Sequence, residues 1–250
     1  MTQYSDYFGP EGLRVRGTVL VVPGRGETRS TYTRFGKRLA ADAYRVRVID
    51  APDLATEDLT GLAARLSEAA EGTAVDDGVV RPLVLVGADS GAAAIAALLG
   101  RAAGGEPDAV VLAGLPGLTP GTSTAGTWDE ELDVRTSCPA HRGALTQDPE
   151  VRRGSLDDAV PEAVLSAAYE SEATVPTLLL VGDADPLADH EALARTAKSL
   201  ASARLSVVHG AHHDVLNDLQ HRSVAAEVVT FLENLRNELR PLITVRSSAW

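Results

Sequence analysis

The chain has 250 residues, 44% of them hydrophobic and 23% charged, enough apolar material to bury one sizeable core and too much to leave the chain disordered. Its 35 acidic against 23 basic residues give a net charge of −12, which opposes the phosphate contacts that nucleic-acid binding requires. The lone cysteine, Cys138, excludes an internal disulfide and fits a reducing compartment, and no apolar run is long enough to span a bilayer.

In chain order, the opening MTQYSDYFGPEG has no basic stretch leading into an apolar one, so a cytoplasmic chain without membrane insertion is expected. Runs rich in Val, Leu and Ile at 17–24, 44–50, 82–87, 108–115, 176–183 and 203–210 read as strands. Helical stretches near 31–42, 57–71, 91–103, 190–201 and 221–239 alternate with them, the signature of parallel strands joined by crossover helices. The last helix carries Val224, Val228, Phe231, Leu232 and Leu235 on one stripe, and Pro241 stops it. Residues 119–172 interrupt the rhythm with turn formers, scattered polar groups and short helix-like pieces around 147–170. The expected architecture is one α/β domain over 1–250, with 119–172 inserted above the sheet as a cap or lid.

In a parallel sheet, ligands collect beyond the carboxyl ends of the strands. Four polar turns fall there: PGRGE (23–27), GADSGA (87–92), GDADPLAD (182–189) and HGAHHD (209–214). The second is a strand, a tight turn and a helix, the geometry that lifts a reactive side chain to the tip and aims helix amides at developing negative charge. Such an elbow needs small residues two positions on either side of the nucleophile. Asp89 has Gly87 and Gly91 there; Ser90 has Ala88 and Ala92, so the glycine spacing favours Asp89. Either nucleophile needs a base and an orienting acid. His213 and Asp185 supply them in the chain order nucleophile, acid, histidine, with Asp183 as a weaker alternative acid. His209, His212, His213 and Asp214 also invite a metal reading, but the spacing lies on no evident helix and no further ligands join it, so neither metal nor cofactor is expected.

These turns resemble the α/β-hydrolase superfamily along nearly the whole chain. VVPGRGETRSTYTRFGKRLA is similar to the GxGE segment of the lysophospholipase and monoacylglycerol lipase branch, with Pro23 where that branch has histidine. GDADPLAD is similar to its GxxDxLxD acid turn, and GAHHDVLND to its GAxHExLNE histidine segment. The elbow instead resembles the GxDxG of epoxide hydrolases, with Asp89 where the lipase branch has serine.

The resemblance implies an α/β-hydrolase fold and an oxyanion hole built from the backbone amides of Arg25 and Ser90. It implies that Asp89 attacks an epoxide of a small organic molecule, and that His213 and Asp185 then hydrolyse the resulting ester to a diol. Tyr32 and Tyr169 are the candidate acids for the leaving oxygen, and Tyr32, Trp128 and Tyr169 the candidate substrate contacts. Two alternatives stay open: a serine esterase, lipase or lactonase with Ser90 as nucleophile, and a non-hydrolytic or ligand-binding member of the fold. A small-molecule substrate is the expected partner, and homodimerisation stays open.

Overall fold

A computed structural model of the chain describes residues 4–74, 78–99, 107–118 and 126–249. Seven strands form one sheet in the order β1-β3-β2-β4-β5-β6-β7. They are β1 (Ser5–Tyr7), β2 (Thr18–Val22), β3 (Arg45–Val48), β4 (Leu83–Ala88), β5 (Ala109–Ala113), β6 (Thr177–Gly182) and β7 (Ala203–Val208). Only β1 runs antiparallel, on the edge beside β3. The strand order reverses between the β2–β3 and β4–β7 directions, which opens a crevice beyond the carboxyl ends of β2 and β4.

The alternation of side chains divides the core into two layers. Leu20, Val22, Leu83, Leu85, Val110 and Leu112 point to one face, covered by α2 (Leu59–Glu71), α3 (Asp89–Leu99) and α6 (Glu162–Tyr169). Val19, Val21, Val46, Val48, Val84 and Val86 point to the other, covered by α1 (Thr33–Ala41) and α8 (His221–Leu235). Because β2, β4, β5 and β6 are buried on both faces, they read as continuous apolar runs. On α8, Val224, Val228, Phe231 and Leu232 are buried as the stripe requires. The helix expected over 91–103 begins earlier, at Asp89, and is described to Leu99; residues 100–103 lie outside the described residues.

Three elements were not visible in the sequence pattern. β1 is three residues long with no apolar run, and it pairs with β3 partly through the Asp6 carboxylate on Arg47. Residues 128–147, read as turn-rich, form α4 (Trp128–Arg135) and α5 (Pro139–Gln147). A capping box between Thr127 and Glu130 starts α4, and Pro139 in the first turn starts α5. The buried face of α4 carries Glu131 and Arg135 instead of an apolar stripe, so periodicity gives no signal there. Part of the segment between β5 and β6, residues 119–125, lies outside the described residues. Its remainder, α4 to α6 with a 3-10 turn at Ser155–Asp157, reaches the loops at the carboxyl ends of the strands. Among the described residues, no helix is long and apolar enough to cross a membrane.

Candidate active site

Asp89 follows β4 with φ of +46°, a left-handed conformation that non-glycine residues adopt at a cost of about 1–2 kcal/mol. The turn is this tight because backbones close around it. A Cβ on Gly87 would lie 2.6 Å from Ala92 Cα, and one on Gly91 would lie 2.5 Å from the Val22 carbonyl oxygen. Both positions exclude any side chain, whereas the flanks of Ser90 are alanines whose methyls fit. Asp89 is therefore the residue at the tip. Ser90 stands in the first turn of α3, its hydroxyl buried and without a hydrogen-bond partner among the described residues.

Three further strand ends converge on Asp89. His213, beyond β7, places Nε2 3.1 Å from Asp89 Oδ1 and Nδ1 2.9 Å from Oδ2 of Asp185, which follows β6. Arg25, beyond β2, donates its backbone amide to Asp89 Oδ2 at 2.7 Å. Its guanidinium folds over the same carboxylate, with Nη2 2.7 Å from Oδ1 and Nε 2.9 Å from Oδ2. Nη1 is spent on the carbonyls of Leu156 and Asp158, each at 2.8 Å, leaving one N–H of Nη2 unused. The other predicted acid, Asp183, binds the exposed His209, and His212 binds Asp218, so the histidine-rich turn disperses to three different carboxylates.

Electrostatics fix the protonation states. Burial opposes ionisation of Asp89, but Arg25 and His213 outweigh it and hold the carboxyl well below the usual range. Burial likewise pulls His213 down, yet Asp185 and Asp89 together push it up to about 10. At neutral pH the imidazole is a cation between two carboxylates. It becomes a base only once one of those charges is removed.

Behind this constellation lies a buried polar network in which Asp214 alone was a candidate ligand in the sequence. Arg135, 1% exposed, binds Glu131 Oε1 at 2.9 Å, Asp214 at 3.5 Å, Ser155 Oγ at 3.0 Å and the Arg25 carbonyl at 2.8 Å. His141 Nε2 lies 2.8 Å from the other oxygen of Asp214, and Glu27 Oε2 accepts from the Gly24 amide at 2.9 Å and from the Tyr32 hydroxyl. Glu27, His141 and Asp214 bring three ligand atoms within 4.8 Å of one another. The Arg135 guanidinium already supplies the positive charge there and opposes a divalent cation, so this cluster is read as structural. Asp218, fully buried, accepts from the amides of Ser137, Cys138, His212 and Leu219 and pins the histidine loop to the start of α5. Cys138 is buried at that helix start beside Arg34.

The expected aromatic contacts do not meet at the substrate side. Tyr32 is engaged with Glu27, Tyr169 donates to the Pro116 carbonyl at 3.0 Å, and Trp128 donates to Thr146 at 3.0 Å on the far side of α4 and α5. Each hydroxyl or indole is already spent, which is why none presents an acid to a ligand. A pocket of about 790 Å³ instead opens between Arg25, Ser90, Asp53, Leu54, Arg152 and Val160. Asp89 does not line it; Arg25 stands between. Asp89 lines a second, much smaller cavity of about 10 Å³ with Glu27, Tyr32, His213 and Asp214.

Residues 89–220 match the Hydrolase_4 family model, described as serine aminopeptidase, S33. Comparison with curated protein sequences gives no match. Among solved structures, the fold is similar to a soluble variant of monoglyceride lipase from Saccharomyces cerevisiae, with a TM-score of 0.75 and 16% identity, covering 93% of this chain and 91% of that one. It is also similar to a monoacylglycerol lipase from Paleococcus ferrophilus, with a TM-score of 0.73 and 17% identity over 94% and 99% of the two chains. An enol-lactonase from Burkholderia xenovorans LB400 gives a TM-score of 0.64 and 18% identity over 93% and 96%. At these identities the likeness is one of fold.

Proposed function

The chain belongs to the Hydrolase_4 family of α/β-hydrolases (serine aminopeptidase, S33), and from that membership as a hydrolase we propose that it works through an aspartate nucleophile, opening an epoxide of a small organic molecule to a diol. One observation carries this reading. The side chain at the left-handed tip of the elbow, in contact with both His213 and the Arg25 amide, is the carboxylate of Asp89.

A carboxylate displaces at saturated carbon and leaves an alkyl ester behind. In the first step an Asp89 oxygen attacks a ring carbon, the carbon–oxygen bond breaks, and the electron pair goes to the ring oxygen. That oxygen accepts the unused N–H of Arg25 Nη2 and takes its proton from water in the large pocket. Arg25 thus fills the role expected of Tyr32 or Tyr169, as a fixed donor aimed at developing charge. Esterification removes the charge of Asp89, one of the two carboxylates that hold His213 protonated, so the imidazole gives its proton to the hydroxide left when water protonated the ring oxygen, and becomes a base. In the second step His213, oriented by Asp185, takes a proton from water as that water attacks Asp89 Cγ. The tetrahedral oxyanion rests on the Arg25 amide. It collapses with loss of the product alkoxide, which takes the proton back from His213, and the carboxylic acid left at Asp89 passes its own proton to the imidazole, restoring the starting ion pair. The helices between β5 and β6 act as a cap, holding Arg25 through the Leu156 and Asp158 carbonyls.

Turnover of p-nitrostyrene oxide in oxygen-18 water tests the reading. After repeated cycles, the peptide containing Asp89 is expected to carry label in its side-chain carboxylate. Unlabelled Asp89 after complete turnover would overturn the proposal.

A further inference from the structure

The carboxylate of Asp89 has two different sides. Toward the 790 Å³ pocket it is covered by Arg25, and toward the interior it borders a cavity of about 10 Å³, room for one water. The cavity also touches Glu27 and His213, the group that must take a proton when the Asp89 ester is hydrolysed. Glu27 is buried, at 7% exposure. Its Oε2 accepts from the Gly24 amide and the Tyr32 hydroxyl, whereas Oε1 receives no donor among the described residues. Oε1 is thus free to accept from a water held in the cavity between Glu27 and His213.

We propose that this cavity is the hydrolytic-water site and that Glu27 is its positioning residue, one water hydrogen directed to Glu27 Oε1 and the other to His213 Nε2. The proposal rests on the Asp89 reading, because it needs an ester at Asp89 for the water to attack. The water oxygen bonds to Cγ, its proton passes to His213, and Glu27 keeps its own protonation state throughout. Glu27 also lines the large pocket, so it stands between the water site and the side from which substrate enters. Burial and the neighbouring Asp214 push Glu27 up to about 7, against the pull of Arg135, Tyr32 and the Gly24 amide. The acceptor form is thus present at neutral pH.

Stopped-flow kinetics with p-nitrostyrene oxide and intact-mass analysis test it through Glu27→Gln. The expected result is an alkylation rate within about threefold of wild type and ester hydrolysis slowed about 100-fold, the scale of a misplaced reactant. The adduct accumulates on Asp89, and kcat and KM fall together. Glu27→Asp, which keeps the charge one methylene short, is expected to recover part of the hydrolysis rate, and it carries the same test should Glu27→Gln fail to fold. Ester hydrolysis at the wild-type rate, or equal slowing of both half-reactions, would overturn the water site. Absence of any Asp89 adduct in His213→Gln would overturn the Asp89 reading itself, which keeps the two failures distinct.

Discussion

Arg25 and Asp89 form a closed, bidentate ion pair in which the guanidinium also receives the cap: Nη2 and Nε hold the carboxylate at 2.7 and 2.9 Å while Nη1 binds the Leu156 and Asp158 carbonyls. The side chains are 12% and 5% exposed, so water screens the pair little. The Arg25 carbonyl is in turn held by Arg135 from α4. Elbow, oxyanion loop and cap are therefore one electrostatic unit, joined at the nucleophile by the Arg25 side chain.

Replacing Arg25 by methionine removes the donor for the leaving oxygen and the largest favourable charge on Asp89. Alkylation is expected to slow about 100-fold, the usual effect of losing one preorganised donor. Without Arg25 the Asp89 carboxyl titrates higher, so the acidic limb of the alkylation rate moves to higher pH. The linked stability has the matching sign. In the wild type, the depressed Asp89 contributes stability above the unfolded carboxyl value, lost as pH falls through its folded value; in the variant that loss begins at higher pH. Single-turnover rates and urea unfolding between pH 4 and 8 check both.

His213 offers a test that needs no substrate. Its folded value of about 10 exceeds that of a free imidazole, so its stabilising contribution is complete below about pH 6.5 and disappears as pH rises through 10. Asp89→Asn removes one of the two carboxylates and is expected to lower His213 by about one to three pH units. An NMR titration of the His213 ring in the two proteins measures the difference, and an unmoved imidazole would contradict the charge balance on which base formation depends.

Strands β2, β4, β5 and β6 and the turns that end them were legible because a strand covered on both faces must be apolar and a reactive turn must be small. The same logic placed the nucleophile: Gly87 and Gly91 stand where the Ala92 and Val22 backbones leave no room for a side chain. The residues around the site were hidden for the opposite reason. Arg135, Glu131 and Glu27 are charged residues at buried positions, and in a sequence they look like solvent-facing ones. The capping box at Thr127 and Pro139 at the start of α5 were the available signals for the two helices that carry this network. The role of Arg25 was hidden differently. Its backbone was placed by the turn, but the destination of its guanidinium depends on where Leu156 and Asp158 come to lie.

Arg135 makes the strongest stability prediction. Its replacement by methionine preserves the aliphatic bulk but leaves Glu131 and Asp214 as buried carboxylates without their cation, a loss of about 3–5 kcal/mol. For a chain of this size that lowers the melting temperature by roughly 10 °C. Adding Glu131→Gln to Arg135→Met should recover part of the loss, because one of the stranded charges goes with it. Calorimetry of the wild type, both single variants and the double variant measures this coupling, and additivity of the two changes would mean that the pair does not act together.

Ser90 and Asp89 separate the two chemistries that the elbow permits in sequence. The Ser90 hydroxyl is buried without a partner among the described residues, and His213 faces its neighbour, so Ser90→Ala removes no hydrogen bond and keeps the backbone amide. Its epoxide turnover is expected within about threefold of wild type, since a lost group with no partner has little to contribute. Asp89→Asn, nearly isosteric but a poor nucleophile, is expected to lose at least about 1,000-fold, on the scale of removing a member of a catalytic triad. Running the same pair against p-nitrophenyl butyrate makes the contrast decisive. Ester turnover abolished by Ser90→Ala, but retained by Asp89→Asn, would assign the nucleophile to the serine and shift the elbow by one residue.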